Sequence, residues 1–494
     1  MVEKTFYEYL LSLETARLQS YEKATQYYKG VGPFSLPKKL QKAISTRYPH
    51  LKGNYCDVIV NAMVSRLTAT NVRCEDGSKA KFLQSVWRNN QMDAKNITNM
   101  RQAIKLGDSF VLVWPKADKS GSTITVLESD TCFPYYMDDD GTLASFKRQW
   151  IGFLPDTKPA AFKYIYYTNR VERYYLALSQ KDIDTTTSLA LATSANWLPY
   201  DLDGEAAVHS HPYGMPFVHF ANKKEISPYG TSEQENMYGL QDAINIMLHV
   251  LARVGEFSGS KQGVLTGVSK TDFPNKDKDG NPYINLDVGD FLTFVDQEAK
   301  AYMLDQTSPD GVVTVIDGFI DNLAITSRTP RSVMDAPDSG TAASGFALAK
   351  MEAPLISKCT EAQVVFGAAY EQLFNLITQQ SKLMGVEGAN GLSDDSAYIE
   401  WAPLTDKSPS DKLAEAQTYN IYIDKKVLST KAVQRELGYT EEEQKKINKE
   451  IADFDEDEMN RALMGAAHYE NTQTSNDTPP KADTGEDGKG EGES

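Results

Sequence analysis

Apolar positions recur at three- and four-residue steps over much of this chain, and elsewhere they alternate or cluster. Residues 5–28 place Leu10, Leu13 and Ala16 at helical spacing, with Tyr21, Tyr27 and Tyr28 following; Gly30 and Pro33 then stop the run. The segment LKGNYCDVIVNAMVSRLTA predicts a second helix, with Val58, Val60, Ala62, Val64 and Leu67 on its apolar face. AKFLQSVWRNNQM and ITNMRQAIKLG predict two more, the latter ending on Gly107. DSFVLVWP is short, apolar and closed by Pro115, the pattern of a buried strand. Between 122 and 178 lie STITVLES, CFPYYMDDDG, ASFKRQWIGF, AFKYIYYTN and RVERYYLAL. They are rich in Val, Ile, Thr, Tyr and Phe and are broken by Asp-Gly, Pro or Asn, which predicts antiparallel sheet. Residues 180–205 are small and polar and predict an exposed excursion, after which HPYGMPFVHFAN adds one more strand.

From Gly230 the texture turns helical. Leu240, Ile244, Met247, Leu251 and Val254 make one stripe along GLQDAINIMLHVLARVGEF. Residues 262–296 break into short strands with a turn at Asp279-Gly280. A second striped helix follows, with Ser308 as N-cap, Pro309 in its first turn, and Val312, Ile316, Phe319 and Leu323 in line. Two readings of the stripes stay open: they pack on each other within one chain, or they face a neighbouring copy. Next comes SRTPRSVMDAPDSGTAASGFALAKMEAPLISK. Its loop, from about Thr329 to Ser344, holds two prolines and one of two neighbouring glycines, Gly340 and Gly345, and loops of this length are usually functional or disordered. It feeds a helix from Gly345 to Leu383, on the order of 55–60 Å long at about 1.5 Å per residue. Pro354 inside it predicts a kink one turn earlier. The chain then reads as helical and densely charged from Asp394 to about Ala467, and 470–494 reads as a disordered acidic tail.

Composition narrows the classes. A length of 494 residues suggests about three modules. A 41% hydrophobic and 10% aromatic content is enough for real cores, and no apolar run is long enough for a membrane span. The N-terminal helix carries acids, unlike a signal peptide. Cys56, Cys74, Cys132 and Cys359 show no metal-ligand spacing, which fits a reducing compartment without a disulfide framework. The net charge of −17 is opposite to that of a protein that grips phosphates. It suits an acidic protein with no nucleic-acid role, or a surface past which DNA slides without being anchored.

The chemistry-bearing patterns are weak. There is no phosphate-cradling GxxxxGK[ST], no HExxH, no GxSxG and no GxGxxG in a strand–turn–helix setting. His209 and His211 lack an evident third ligand and read as a surface turn. Asp138, Asp139 and Asp140 have the composition of a magnesium site but read as a solvated turn. In NKDKDGNPYINL, Asn275, Asp277, Asp279 and Gly280 begin like a calcium loop, yet Leu286 stands where the bidentate Glu belongs, so a hairpin is expected. No catalytic residue, metal site or cofactor is assigned.

Several stretches, taken in order, resemble the portal protein of long-tailed bacteriophages. They are WRNNQMD followed by AIKLGDSFVLVW, then HPYGMPFVHFANK leading to YGTSEQENMYGLQDAINIMLHVL, and then SGFALAKMEAPL. The resemblance implies an α+β portal fold with wing, stem, clip and crown regions. It assigns 1–230 to the wing, 231–258 to a first stem helix, 259–306 to the clip and 307–328 to a second stem helix. It assigns 329–344 to a tunnel loop, 345–385 to a tunnel helix kinked at Pro354, and 386–469 to the crown. The stretch 180–205 and the insert match no part of that pattern. The resemblance further implies a dodecameric ring with no enzymatic activity, sited at one capsid vertex of the virion and assembled in the host cytoplasm. The implied partners are double-stranded DNA passing without sequence readout, the terminase large subunit, a head-completion or adaptor protein, and the major capsid and scaffolding proteins, with no membrane. Arg331, Ser332, Asp335, Asp338, Ser339, Gly340 and Thr341 would line the channel, Arg331 touching phosphate and the aspartates repelling it. The competing readings are another head–tail adaptor or minor capsid protein, and an acidic metal-dependent nucleotide enzyme built on Asp138–Asp140.

Overall fold

A computed structural model describes residues 6–32, 51–116, 120–137, 141–179, 196–202, 205–225, 227–259, 308–334, 345–405, 409–437 and 443–454, with short pieces and single positions between and beside them. The chain divides into two units, 1–405 and 406–494.

In the first unit, α1 (Phe6–Tyr28), α2 (Tyr55–Val64), α3 (Gly77–Asn89) and α4 (Met92–Leu106) fall where the apolar spacing places them. Local chemistry fixes their ends. Asn54 accepts from the Asp57 amide at the start of α2, and Asp76 accepts from the Ser78 amide at the start of α3. Gly107 closes α4 with φ of 97°, a left-handed conformation that suits glycine. Between α2 and α3 lies β1 (Ala69–Cys74), which the sequence reading had not picked out.

Strand β2 (Asp108–Pro115) is the centre of a three-stranded antiparallel sheet, flanked by β3 (Ser122–Leu127) and by a strand from later in the chain, Phe217–Ala221. Its near-continuous burial explains the unbroken apolar run. A six-stranded antiparallel sheet contains β4 (Cys132–Tyr136), β5 (Leu143–Phe153), β6 (Pro159–Tyr166), β7 (Arg170–Ala177) and β8 (Leu198–Pro199), with β9 (Val208–Ser210) also paired to β7. β10 (Phe217–Ala221) returns to β2. The two sheets share a core of Phe110, Leu127, Phe146, Tyr166, Val171 and Phe217, in which the Phe146 and Phe217 rings stack 3.7 Å apart.

Helix α5 (Tyr238–Gly259) leads into an insert. Its described strands are β11 (Gly263–Thr266) paired with β14 (Lys300–Met303), and β12 (Asn275–Lys276) paired with β13 (Pro282–Tyr283). The chain leaves the insert through α6 (Asp310–Ser327), turns once in α7 (Arg331–Met334), and runs along the forty-residue α8 (Gly345–Met384). The largest core gathers α2, α3, α4, the three-stranded sheet and the buried side of α8, where Leu355, Cys359, Phe366, Tyr370, Leu373 and Phe374 lie.

The charge pattern predicts helix from Asp394 to about Ala467. Instead β15 (Ala397–Trp401) is a strand and pairs antiparallel with β1, Val72 opposite Ile399. AYIEW is too short for its period to show, and its partner comes from the other end of the chain. Residues 386–405 therefore fold with the first unit. The second unit has α9 (Pro409–Asp424), α10 (Thr430–Glu436) and a further helical run over 443–454.

Candidate functional site

The region singled out by the sequence is the succession α5, insert, α6, α7, α8. The two stripes meet within the chain. Ile244 on α5 and Ile316, Ile320 and Leu323 on α6 are buried together with Tyr27, Cys56 and Ile59; Leu240, Met247, Leu251, Val312 and Phe319 pack against them half-buried. Val254 is half-buried outside this cluster. Ser308 accepts from the Asp310 amide at 3.2 Å, but the N-cap is Pro309, one residue later than the sequence suggests, because α6 begins at Asp310.

The far end of α6 carries less familiar chemistry. Arg328 adopts the left-handed conformation, φ 51° and ψ 33°, at a place where helices usually use glycine. The Thr329 amide donates back to the Ala324 carbonyl, and Thr329 and Pro330 are buried. The expected long loop therefore begins later than Thr329, because Arg331–Met334 is a helical turn whose Val333 and Met334 pack against two cores.

Arg331 and Ser332 lie on that turn. The Arg331 guanidinium points back to α6, its Nη1 donating to Asp321 Oδ1 at 2.5 Å and to the Asp317 carbonyl at 2.9 Å, and its Nη2 to Asp317 Oδ1 at 2.8 Å. One helical turn separates the two aspartates, so a single planar fork reaches both. Asp335, Asp338, Ser339, Gly340 and Thr341 lie outside the described residues, as do Asp138–Asp140, Asp277, Asp279 and Gly280. Pro354 is the tenth residue of α8 and is exposed, and burial starts at the next residue, Leu355.

Three of the buried polar centres among the described residues bear on these elements, and the sequence did not single them out. The first joins Lys358, on the buried side of α8, to Glu233 and to the end of α6. Its Nζ donates to Glu233 Oε1 at 2.9 Å and to the Ser327 carbonyl at 2.7 Å, and Lys223 Nζ lies 2.9 Å from Glu233 Oε2. Burial pushes the Glu233 carboxyl up, but Lys358 and Lys223 outweigh it and hold it below the usual range. A lysine one turn after Leu355 and beside Cys359 was the available signal, a charge on an otherwise apolar face.

The second centre is Asp108, fully buried at the start of β2. It accepts from Tyr21 Oη at 2.7 Å, the Gly230 amide at 2.7 Å and His219 Nε2 at 2.8 Å, and it forms an ion pair with Arg17. Because His219 Nε2 must donate, its Nδ1 is the acceptor for the Tyr136 hydroxyl at 2.6 Å. Burial pushes the His219 pKa down to about 3, so the imidazole is neutral. Tyr136, His219 and Asp108 are in line like a proton relay, but here they join β4, β10 and β2, while Arg17 and Tyr21 bring in α1. The third centre is Lys79, 1% exposed, which donates to the Ser393 and Asp395 carbonyls and ties α3 to the chain entering β15.

His209 and His211 are not a surface turn. His211 is buried, edge-on to Trp114 and stacked on Tyr213, and His209 lies 3.4 Å from Arg173 Nη2. Burial lowers both pKa values. Among the described residues no group of three or more His, Cys, Asp or Glu side chains is placed to hold a metal ion, and no helix is long and apolar enough to cross a membrane.

The chain belongs to the phage portal proteins of the SPP1 Gp6-like type, whose family model matches residues 7–457. Among solved structures it is similar to a chain of the virion of a native gene transfer agent particle, with 12% identity, 82% of this chain and 94% of that chain covered, and a TM-score of 0.41. It is also similar to a chain of the neck of a native gene transfer agent particle computed with C12 symmetry, with 10% identity, the same coverages and a TM-score of 0.40. No curated protein matches.

Proposed function

We propose that copies of this chain close into a twelve-subunit ring at a unique capsid vertex and form the channel through which double-stranded DNA enters and leaves. The observation that carries the reading is the order α5, insert, α6, turn, long α8 in a member of the portal family. In this assignment residues 1–230 are the wing, α5 and α6 the stem, and 259–306 the clip. The clip docks the terminase large subunit and later a head-completion or adaptor protein. Residues 329–344 are the tunnel loop facing the channel, 345–385 the tunnel helix and 386–469 the crown, of which 386–405 fold with the first unit. Major capsid and scaffolding proteins surround the ring, which is assembled in the host cytoplasm and remains in the virion. The chain itself performs no catalysis.

The electrostatics support a conduit. A channel wall that releases counterions at many phosphates would brake the duplex. This chain carries a net charge of −17, and the cation expected to touch DNA, Arg331, spends its charge on Asp317 and Asp321. Negative-stain electron microscopy of the purified chain tests the reading. Near-twelvefold rings with a hole wide enough for a duplex are expected. Compact monomers with metal-dependent turnover on nucleotides would overturn it.

A further inference from the structure

Lys358 connects three stretches that are remote in sequence. Its side chain is 5% exposed and that of Glu233 1%. The Glu233 amide donates to the Ile104 carbonyl at 2.9 Å, so the strap ahead of α5 is anchored to the end of α4. Ser327 is the last residue of α6, and its carbonyl is one of those a helix leaves without an internal partner. The Lys358 ammonium fills that role and also sits at the negative end of the α6 dipole. A compact cation with two acceptors, one a main-chain carbonyl and one a carboxylate, is satisfied in one alignment of the three elements. A purely apolar contact would tolerate sliding; a buried ion pair of this kind sets register.

The position of this contact along α8 matters. Gly345 lies thirteen residues before Lys358, about 20 Å along the helix. Lys350, Met351, Ala353 and Pro354 are exposed, whereas Leu355, Lys358 and Cys359 are buried. Glu352 has an ion pair with Arg66 at 3.4 Å, a longer and more exposed contact than those of Lys358. We propose that Lys358 and Glu233 form a latch that makes the strap at 231–237, the exit of α6 and α8 beyond Pro354 one rigid block, so that any change of direction in α8 falls on its first turns, 345–354, rather than on the latched part. This inference goes beyond the channel reading and does not depend on it.

Hydrogen exchange of the full-length chain tests the latch. In Lys358→Met, Glu233 keeps Lys223 but the Ser327 carbonyl loses its partner. Amides over 326–333 should exchange at least about tenfold faster, with those over 362–384 unchanged. No change over 326–333, or an equal rise along the whole chain, would overturn the proposal. If Lys358→Met does not accumulate folded, Glu233→Gln decides. Its side chain does not touch Ser327, so faster exchange over both 231–237 and 326–333 supports a single block, while a change confined to 231–237, or none, sinks it. Rings with unchanged exchange would refute the latch alone; latched chains that never form rings would refute the channel reading alone.

Discussion

Arg331 reaches back ten positions to Asp321, Nη1 to Oδ1 at 2.5 Å, and takes Asp317 with its second nitrogen at 2.8 Å. The cation at the start of the segment assigned to the channel is thus an anchor to α6. Arg331→Glu sets three acids together and should lower the unfolding free energy by about 1 kcal/mol, a modest cost because these side chains are partly solvated. In the channel reading the variant still forms rings but fails in DNA packaging or retention, as does deletion of 335–342. The double change Asp317→Asn, Asp321→Asn separates the two roles of Arg331. It removes the two countercharges and keeps the cation, so packaging that fails in Arg331→Glu but survives in the double variant would show that the cation itself, rather than its ion pairs with α6, is what packaging needs.

His219 gives the protein an acid sensitivity of known sign. Its folded pKa, about 3, lies below the ordinary value of 6.5, so the unfolded chain takes up the proton first as pH falls. The stability associated with the neutral ring is fully present above about pH 6.5 and is lost toward pH 3, at up to about 1.4 kcal/mol per pH unit. Urea unfolding at pH 7, 6 and 5 should show His219→Gln less stable than the parent at pH 7, with a slope against pH shallower by about one proton. Parallel slopes would mean that His219 titrates normally.

Pro354 lies inside α8 with no amide hydrogen to donate, and proline inside a helix costs about 3 kcal/mol relative to alanine. Pro354→Ala should raise the unfolding free energy by about 1–3 kcal/mol in urea titrations while impairing packaging, because the arm 345–354 is then continuous with the latched helix. Unchanged stability would show that α8 has already relaxed around the proline.

On the side where a Cβ would project, Gly230 lies against main chain. A Cβ there would meet the Asn222 carbonyl oxygen at 2.5 Å and the Asn222 nitrogen at 2.7 Å, and would come closer still to the Gly107 oxygen. Backbone held by the Asn222-to-Gly107 and Thr231-to-Asn222 hydrogen bonds cannot move aside. Gly230→Ala should therefore cost more than about 3 kcal/mol, read as a large fall in Tm or loss of soluble protein. Gly239→Ala, on α5 with nothing within 4 Å of the new methyl, is the control and should be neutral or stabilising by up to about 1 kcal/mol.

What the sequence determined by itself is local and periodic. The α5 and α6 stripes, the stop at Gly107, the start of α6 next to Ser308, the buried β2 run and the hairpin-rich sheet follow from side-chain spacing and turn chemistry, which act over a few residues. Tertiary structure alone decided which elements share a surface. AYIEW became a strand because β1, from the opposite end of the chain, offered it a ladder. Burial of His211 depended on Trp114, which β2 brings in from a remote stretch of the chain. The charges show the same division: the composition gave their sum, but only folding brought Lys358 to Glu233, Asp108 to Arg17 and Arg331 to Asp317. Buried charges are stable only with partners, and neither a partner's identity nor its distance is recorded in the neighbouring sequence.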